Sequence, residues 1–187
     1  MDYNKLRRKT TPVRVGNRII GGDAPIAIQS MTNTDTMDFP ATVRQIKALE
    51  AAGCDIVRVT VPTPEAAQII TAVRDAGIRI PIVADIHFDY RAALRCAALG
   101  FDKIRINPGN IGGEDRVRAV AEACGERQIP IRIGVNGGSL EKHILAKYGS
   151  PTPEALCESA LYHASLLERF GFRNLIISIK TSTVQDM

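Results

Sequence analysis

No apolar run in this sequence approaches the length of a membrane-spanning helix, and the N-terminal MDYNKLRRKTTPVRV has a basic cluster with no apolar stretch behind it. Neither a membrane segment nor a signal peptide is read here, so a cytoplasmic location is expected. No CxxC pair occurs among the four cysteines, Cys54, Cys96, Cys124 and Cys157, and no histidine stands beside them at zinc-ligand spacing. They read as reduced core thiols, with Cys96 and Cys124 inside alanine-rich helical segments. An acidic excess is lacking too: the net charge is +4 and the pI about 9, which favours anionic partners without naming one. The one dense basic run, Lys5, Arg7, Arg8 and Lys9, has the size of a solvated terminal arm, and nucleic acid is not the expected partner. A glycine fingerprint for dinucleotide binding is missing as well, which argues against a doubly wound sheet.

What is present is a repeated phrase. The chain has 187 residues, 45% of them hydrophobic and 24% charged, enough for one folded domain with a real core. After residue 25 an apolar β-rich run, a polar loop, an alanine-rich helical stretch and a glycine follow one another repeatedly, the pattern of parallel strands joined by helices. The strands read as 26–31, 55–60, 82–87, 103–107, 131–136 and 175–180. Between them, Val43, Ile46 and Leu49, then Ala66, Ile69, Ile70 and Val73, recur at helical spacing, and Gly53, Gly77, Gly100 and Gly171 stand where helix C-caps belong. The long stretch between the last two strands predicts an extra helix, with Ser139 as its N-cap and Glu141 in its first turn. VRVGNRIIGG reads as a hairpin that plugs the floor of the sheet. The fold class expected is α/β, a TIM-type (β/α)8 barrel. It is incomplete in this chain, because eight strands need about 250 residues. Open edges on the first and sixth strands then suggest a shortened chain, an oligomer or both.

Side chains alternate along a strand, so each strand has two distinguishable faces. One face is apolar throughout and suits the helical layer: Val57, Val59 and Val61; Ile82, Ala84 and Ile86; Ile104 and Ile106; Ile131, Ile133 and Val135; Leu175, Ile177 and Ile179. The other, directed at the barrel axis, turns polar: Arg58 with Thr60, Asp85 with His87, Arg105 with Asn107, Arg132 with Asn136, Ser178 with Lys180. A barrel interior built for stability alone is filled with branched apolar residues. Arg58, Arg105, Arg132 and Lys180 instead face one inward carboxylate, Asp85, and such a surplus of cations is costly to bury without an anion. Guanidinium forks match phosphate oxygens, so a phosphate or diphosphate ester is the expected guest. His87 suits donation to a phosphate or hydroxyl, whereas His143 and His163 fall in helical stretches as surface or packing residues. The loops NPGNIGGED and NGGSLEK offer backbone N–H groups as anion nests.

The strings IQSMTNTDT, ATVRQIKALEAAGCDIVRVTVP, PIVADIHFDYRAAL, IRINPGNIG and PIRIGVNGGSLEK, in this order, resemble the barrel domain of the 4-hydroxy-3-methylbut-2-enyl diphosphate synthases, over nearly the whole chain. The resemblance implies an oxidoreductase of non-mevalonate isoprenoid synthesis that reductively opens 2-C-methyl-D-erythritol 2,4-cyclodiphosphate. It places the diphosphate in the barrel mouth, with Arg58, Arg105, Arg132 and Lys180 on the phosphates. Asp85, His87, Asn107 and Asn136 then hold phosphate oxygens and substrate hydroxyls. It further implies a [4Fe-4S] cluster on three cysteines and a glutamate in a separate C-terminal domain, a homodimer in which that domain closes over the partner's barrel, and a flavodoxin- or ferredoxin-type electron donor. Residues 1–187 correspond to the N-terminal part of the barrel, and neither the cluster motifs nor the last two strands occur in them. The chain is thus expected to bind substrate without turning it over, as a fragment or as half of a split enzyme. The alternative reading is a barrel module that binds phosphate esters or a pterin.

Overall fold

The computed structural model describes residues 8–181, 183 and 186. An antiparallel hairpin comes first, β1 (Val13–Val15) and β2 (Arg18–Ile20), followed by strands β3 (Gln29–Met31), β4 (Ile56–Thr60), β5 (Ile82–Asp85), β6 (Lys103–Ile106), β7 (Ile131–Asn136) and β8 (Leu175–Lys180). These last six form one sheet in the order β3-β4-β5-β6-β7-β8, parallel at every step. Each new strand is added on the same side, which curls a sheet toward a barrel; a doubly wound sheet would reverse direction part-way. The sheet is therefore a half-barrel, as the βα phrases predict.

Helices α1 (Phe39–Ala51), α2 (Ile69–Asp75, entered through a 3₁₀ turn at Ala66–Gln68), α3 (Tyr90–Leu99), α4 (Glu114–Glu126), α5 (Lys142–Tyr148) and α6 (Pro153–Arg169) make the connections. Their starts are set by side chains that accept orphan N–H groups: Asp38 from Ala41, Asp89 from Arg91 and Thr152 from Ala155. Their ends are set by Gly53, Gly77, Gly100 and Gly171, all at positive φ. The extra helix after β7 is α5, but its N-cap is Glu141 and not Ser139. Ser139 lies in a preceding 3₁₀ turn and turns its hydroxyl to the carbonyl of Asn136.

Two apolar layers hold the sheet. On its outer face Val57, Val59, Val61, Ile82, Ala84, Ile86, Ile104, Ile106, Ile131, Ile133 and Val135 are buried against helical Ile46, Ile70, Val73, Ala93, Val120 and Leu167. Each such Val or Ile contributes about 1.5–3 kcal/mol by leaving water. On the inner face Val15 of the hairpin closes over Ile56 and Val83, with Ile20, Ala27 and Ile176 at its margin, so the hairpin does plug the floor. The outer face of β8 departs from expectation. Leu175 packs on the core, yet Ile177 and Ile179 are 46% and 39% exposed, because α6 lies over β7 and the start of β8 and no later helix follows among the described residues. No helix of the described residues is long and apolar enough to cross a membrane.

Candidate functional site

Strand register brings the inward polar residues together. Thr60, Asp85, Arg105 and Arg132 are successive partners across β4, β5, β6 and β7, and alternation turns all four to the concave side. Asp85 is 2% exposed. Its Oδ1 accepts from Arg105 Nη1 at 3.1 Å, and its Oδ2 lies 3.3 Å from Arg58 Nε. Arg58 also directs Nη2 at the Met31 sulfur, 2.9 Å away. His87, further along the same face, sits 3.9 Å from Asp85 Oδ2 and is half-exposed at the mouth.

Arg132 makes no ion pair among the described residues. Its Nη2 donates to Ser178 Oγ at 2.8 Å, and its Nη1 is buried with no hydrogen-bond partner. Burial, then the nearby Arg58 and Arg105, hold its guanidinium below the ordinary arginine range, against a weaker opposing pull from Asp85. Three guanidinium groups thus stand near one buried anion, Asp85, which pairs with only Arg58 and Arg105. Room for this comes from Gly134: a Cβ there would stand 2.5–2.9 Å from the Arg105 guanidinium, so no larger residue fits under that side chain as placed.

The remaining residues form a rim. Asn107 is buried, donates Nδ2 to Ser139 Oγ at 3.3 Å and accepts the Gly109 N–H on Oδ1 at 3.1 Å. Asn136 and Lys180 are register partners. With Gly137, Gly138 and Thr181 they line a separate cavity of about 500 Å³ at the strand ends. Lys180 makes no ion pair among the described residues, and Arg132 reaches the same strand, β8, through its bond to Ser178. Of the N–H groups read as an anion nest, those of Gly109 and Asn110 are already taken by Asn107.

Lys103 is an inward cation that the strand-end reading missed. It lies two residues before Arg105 on the same face, is 2% exposed and donates Nζ to Gln29 Oε1 at 3.2 Å. Burial first, then Arg132 and Arg58, lower its pKa to about 8. The alternation that exposed Arg105 also points to Lys103, but only if the strand is followed back toward the floor. A larger cavity, about 720 Å³ between α5 and α6, is lined by His143, Cys157, Leu161 and Tyr162 among others; it lacks the converging cations that mark the strand ends.

No group of three or more His, Cys, Asp or Glu side chains is placed to hold a metal among the described residues. Cys54, Cys96 and Cys124 are buried, Cys157 is exposed, and all four are free. Burial pushes the Cys96 and Cys124 thiols up, away from the thiolate a cluster iron requires. The described residues therefore do not fit an iron–sulfur cluster. What the concave face can do is bind: guanidinium groups in excess over carboxylate, fixed on rigid strands, suit a multiply charged oxyanion.

Residues 10–187 match the GcpE TIM-barrel domain family. The chain is 59% identical over 179 residues to the 4-hydroxy-3-methylbut-2-en-1-yl diphosphate synthase (flavodoxin) of Pseudomonas aeruginosa (strain LESB58), covering 96% of this chain and 48% of that protein. It is likewise 59% identical over 178 residues to the enzyme of the same name from Histophilus somni (strain 2336), covering 95% of this chain and 48% of that one. The chain thus spans about half the length of these curated relatives. Among solved structures, the 7,8-dihydropteroate synthase of Vibrio fischeri ES114 superposes with a TM-score of 0.64 at 12% identity, covering 90% of this chain and 66% of that one. The DAHP synthase of Thermotoga maritima superposes with a TM-score of 0.61 at 14% identity, covering 96% of this chain and 49% of that one. At such identities these two establish the barrel fold alone. Taken with the half-barrel and its arginine-lined concave face, the family match makes this chain a member of the GcpE TIM-barrel family.

Proposed function

We propose that this chain is the substrate-binding barrel portion of a 4-hydroxy-3-methylbut-2-en-1-yl diphosphate synthase. Arg58, Arg105 and Arg132 grip the diphosphate of 2-C-methyl-D-erythritol 2,4-cyclodiphosphate, and Lys180 reaches it from the rim. Asp85 holds Arg58 and Arg105 in their binding geometry, and His87, Asn107 and Asn136 donate to phosphate oxygens or substrate hydroxyls. The observation that carries this reading is that Arg58 and Arg105 pair with one buried carboxylate while Arg132 beside them makes no ion pair among the described residues and leaves a buried Nη1 unpartnered. Buried cations in excess of their counter-charges are compensated by an anionic guest, and a diphosphate supplies both the charge and the acceptor oxygens.

The redox half of the reaction lies outside these residues. The relatives' names specify flavodoxin, which supports a flavodoxin-type donor. A [4Fe-4S] cluster that supplies electrons for ring opening belongs, in this reading, to a C-terminal domain, docked in a homodimer against a partner's barrel. The chain binds and orients substrate, and turnover awaits that domain.

Calorimetric titration of the 187-residue chain with the cyclic diphosphate and with a pterin diphosphate tests the reading. Preferred binding of the cyclic diphosphate, weakening as salt rises, is expected. Preference for the pterin ester, or no binding of either, overturns it.

A further inference from the structure

A buried pair that the diphosphate reading does not use lies beneath the loop following β6. Glu141 caps α5 and His163 sits within α6, with the imidazole 1% exposed and its Nε2 2.5 Å from Glu141 Oε1. Burial holds His163 below the ordinary histidine range, outweighing the pull of Glu141. Burial acts to raise Glu141, but the nearby Ser159 hydroxyl, its own backbone and the His163 imidazole outweigh it, and its carboxyl is held below the usual range. With a carboxylate oxygen against Nε2, the imidazole donates Nε2–H to Glu141. His163 Nδ1 and Glu141 Oε2 are both left buried without a hydrogen-bond partner. A polar pair of this kind is an expensive way to join two helices, since a branched apolar contact would do so at no desolvation cost.

The turn at Gly109 rests on the pair. A Cβ added there would stand 3.2 Å from Glu141 Oε1 and 3.4 Å from both His163 Cε1 and Asn107 Oδ1. The Gly109 N–H fixes the Asn107 carboxamide by donating to Oδ1. That orientation aims Nδ2 at Ser139 Oγ, whose hydroxyl in turn donates to the Asn136 carbonyl at 3.3 Å. A continuous path of contacts runs from the pair to both asparagines at the ends of β6 and β7.

We propose that Glu141 and His163 are a positioning pair, holding the Asn107–Gly109 turn against the strand ends so that Asn107 presents its carboxamide at the barrel mouth. The proposal rests on the reading of Asn107 as a diphosphate-site residue, and two separate readouts keep them apart. Amide hydrogen exchange across residues 107–113 without ligand reports the turn; calorimetric titration with the cyclic diphosphate reports the site. His163→Leu is expected to speed exchange in that segment and to lower affinity about tenfold, the effect of one buried hydrogen bond. In His163→Gln the side-chain amide takes the place of Nε2–H and is expected to recover most of both. Gly109→Ala, which keeps both members of the pair and crowds their contact with the turn, is expected to lower affinity alike, and it carries the test together with Glu141→Gln where the leucine variant fails to fold. Unchanged exchange and affinity in His163→Leu, or a glutamine variant as impaired as the leucine one, overturns the proposal. Absence of diphosphate binding by the unmodified chain overturns the functional reading instead, while the exchange measurement still decides the pair.

Discussion

Asp85 and Arg105 form a 3.1 Å ion pair on the concave face of the sheet, and Arg58 closes on the second carboxylate oxygen at 3.3 Å. The pair lies across neighbouring strands at matched register, so its geometry is imposed by backbone hydrogen bonds and not by side-chain choice. A rigid cation array of this kind is arranged before any ligand arrives.

Removing the shared carboxylate should expose how much the array depends on it. In Asp85→Asn the guanidinium groups of Arg58, Arg105 and Arg132 face one another without a counter-charge, and a loss of about 3 kcal/mol in stability is expected. Millimolar pyrophosphate should restore much of that loss by supplying the missing anion. Thermal melts with and without pyrophosphate read both effects. A variant that melts like the unmodified chain in plain buffer would remove the electrostatic basis of the site.

Arg105 can be displaced without deleting it. Gly134 faces its guanidinium with no left-handed backbone requirement of its own, so Gly134→Ala is a purely steric intrusion. It should cost about 1–3 kcal/mol in stability, as overpacking does. It should also weaken diphosphate binding in the same direction as Arg105→Ala, for which a loss of about 1.5–3 kcal/mol in binding is expected. Calorimetry on the two variants makes the comparison, and an unchanged affinity in Arg105→Ala would count directly against its role.

The half-barrel was legible because strand alternation and helix-capping glycines are local signals, and every barrel strand falls inside the range that periodicity assigns it. The same alternation located Arg58, Asp85, Arg105 and Arg132 on one face. Alternation is silent on how far each side chain sits from its neighbours: it puts Lys180 on the same face as the guanidinium groups, and packing makes it line a rim cavity with Asn136. Lys103 escaped because attention to strand C-termini stops one step above it. The Glu141–His163 contact joins separate helices 22 residues apart, and no periodic pattern marks a pair that tertiary packing alone creates. The exposed flank of β8 likewise reflects which helix lies over it, a property of neighbours and not of the LIISIK string.

The cysteines permit a chemical check. Cys157 is exposed while Cys54, Cys96 and Cys124 are buried, and burial raises the Cys124 thiol to about 12, only slightly eased by Arg127. In the folded chain Cys157 alone should react rapidly with a thiol reagent at neutral pH, and the others should follow only on unfolding. Anaerobic incubation with iron and sulfide should give no stable cluster absorbance. A persistent band from this chain would require a cysteine arrangement other than the one described.

Lys103 gives the clearest pH signature. Its folded pKa of about 8 lies below the ordinary 10.5, so between those values the unfolded chain binds the extra proton and stability rises with pH. Below about pH 8 both states are protonated and the full penalty for burying the ammonium beside Arg132 and Arg58 is present. Above about 10.5 both are neutral and the penalty is gone. Lys103→Met, of similar length and without charge, should therefore stabilise the chain at pH 7 by up to about 3 kcal/mol, the equivalent of the shift at 1.36 kcal/mol per unit. The Gln29 side chain it releases is exposed and finds water. The advantage should shrink steadily from pH 8 and vanish by about 10.5. Denaturant titrations of both proteins across that range measure it, and a difference independent of pH would show that Lys103 is not buried as an ammonium.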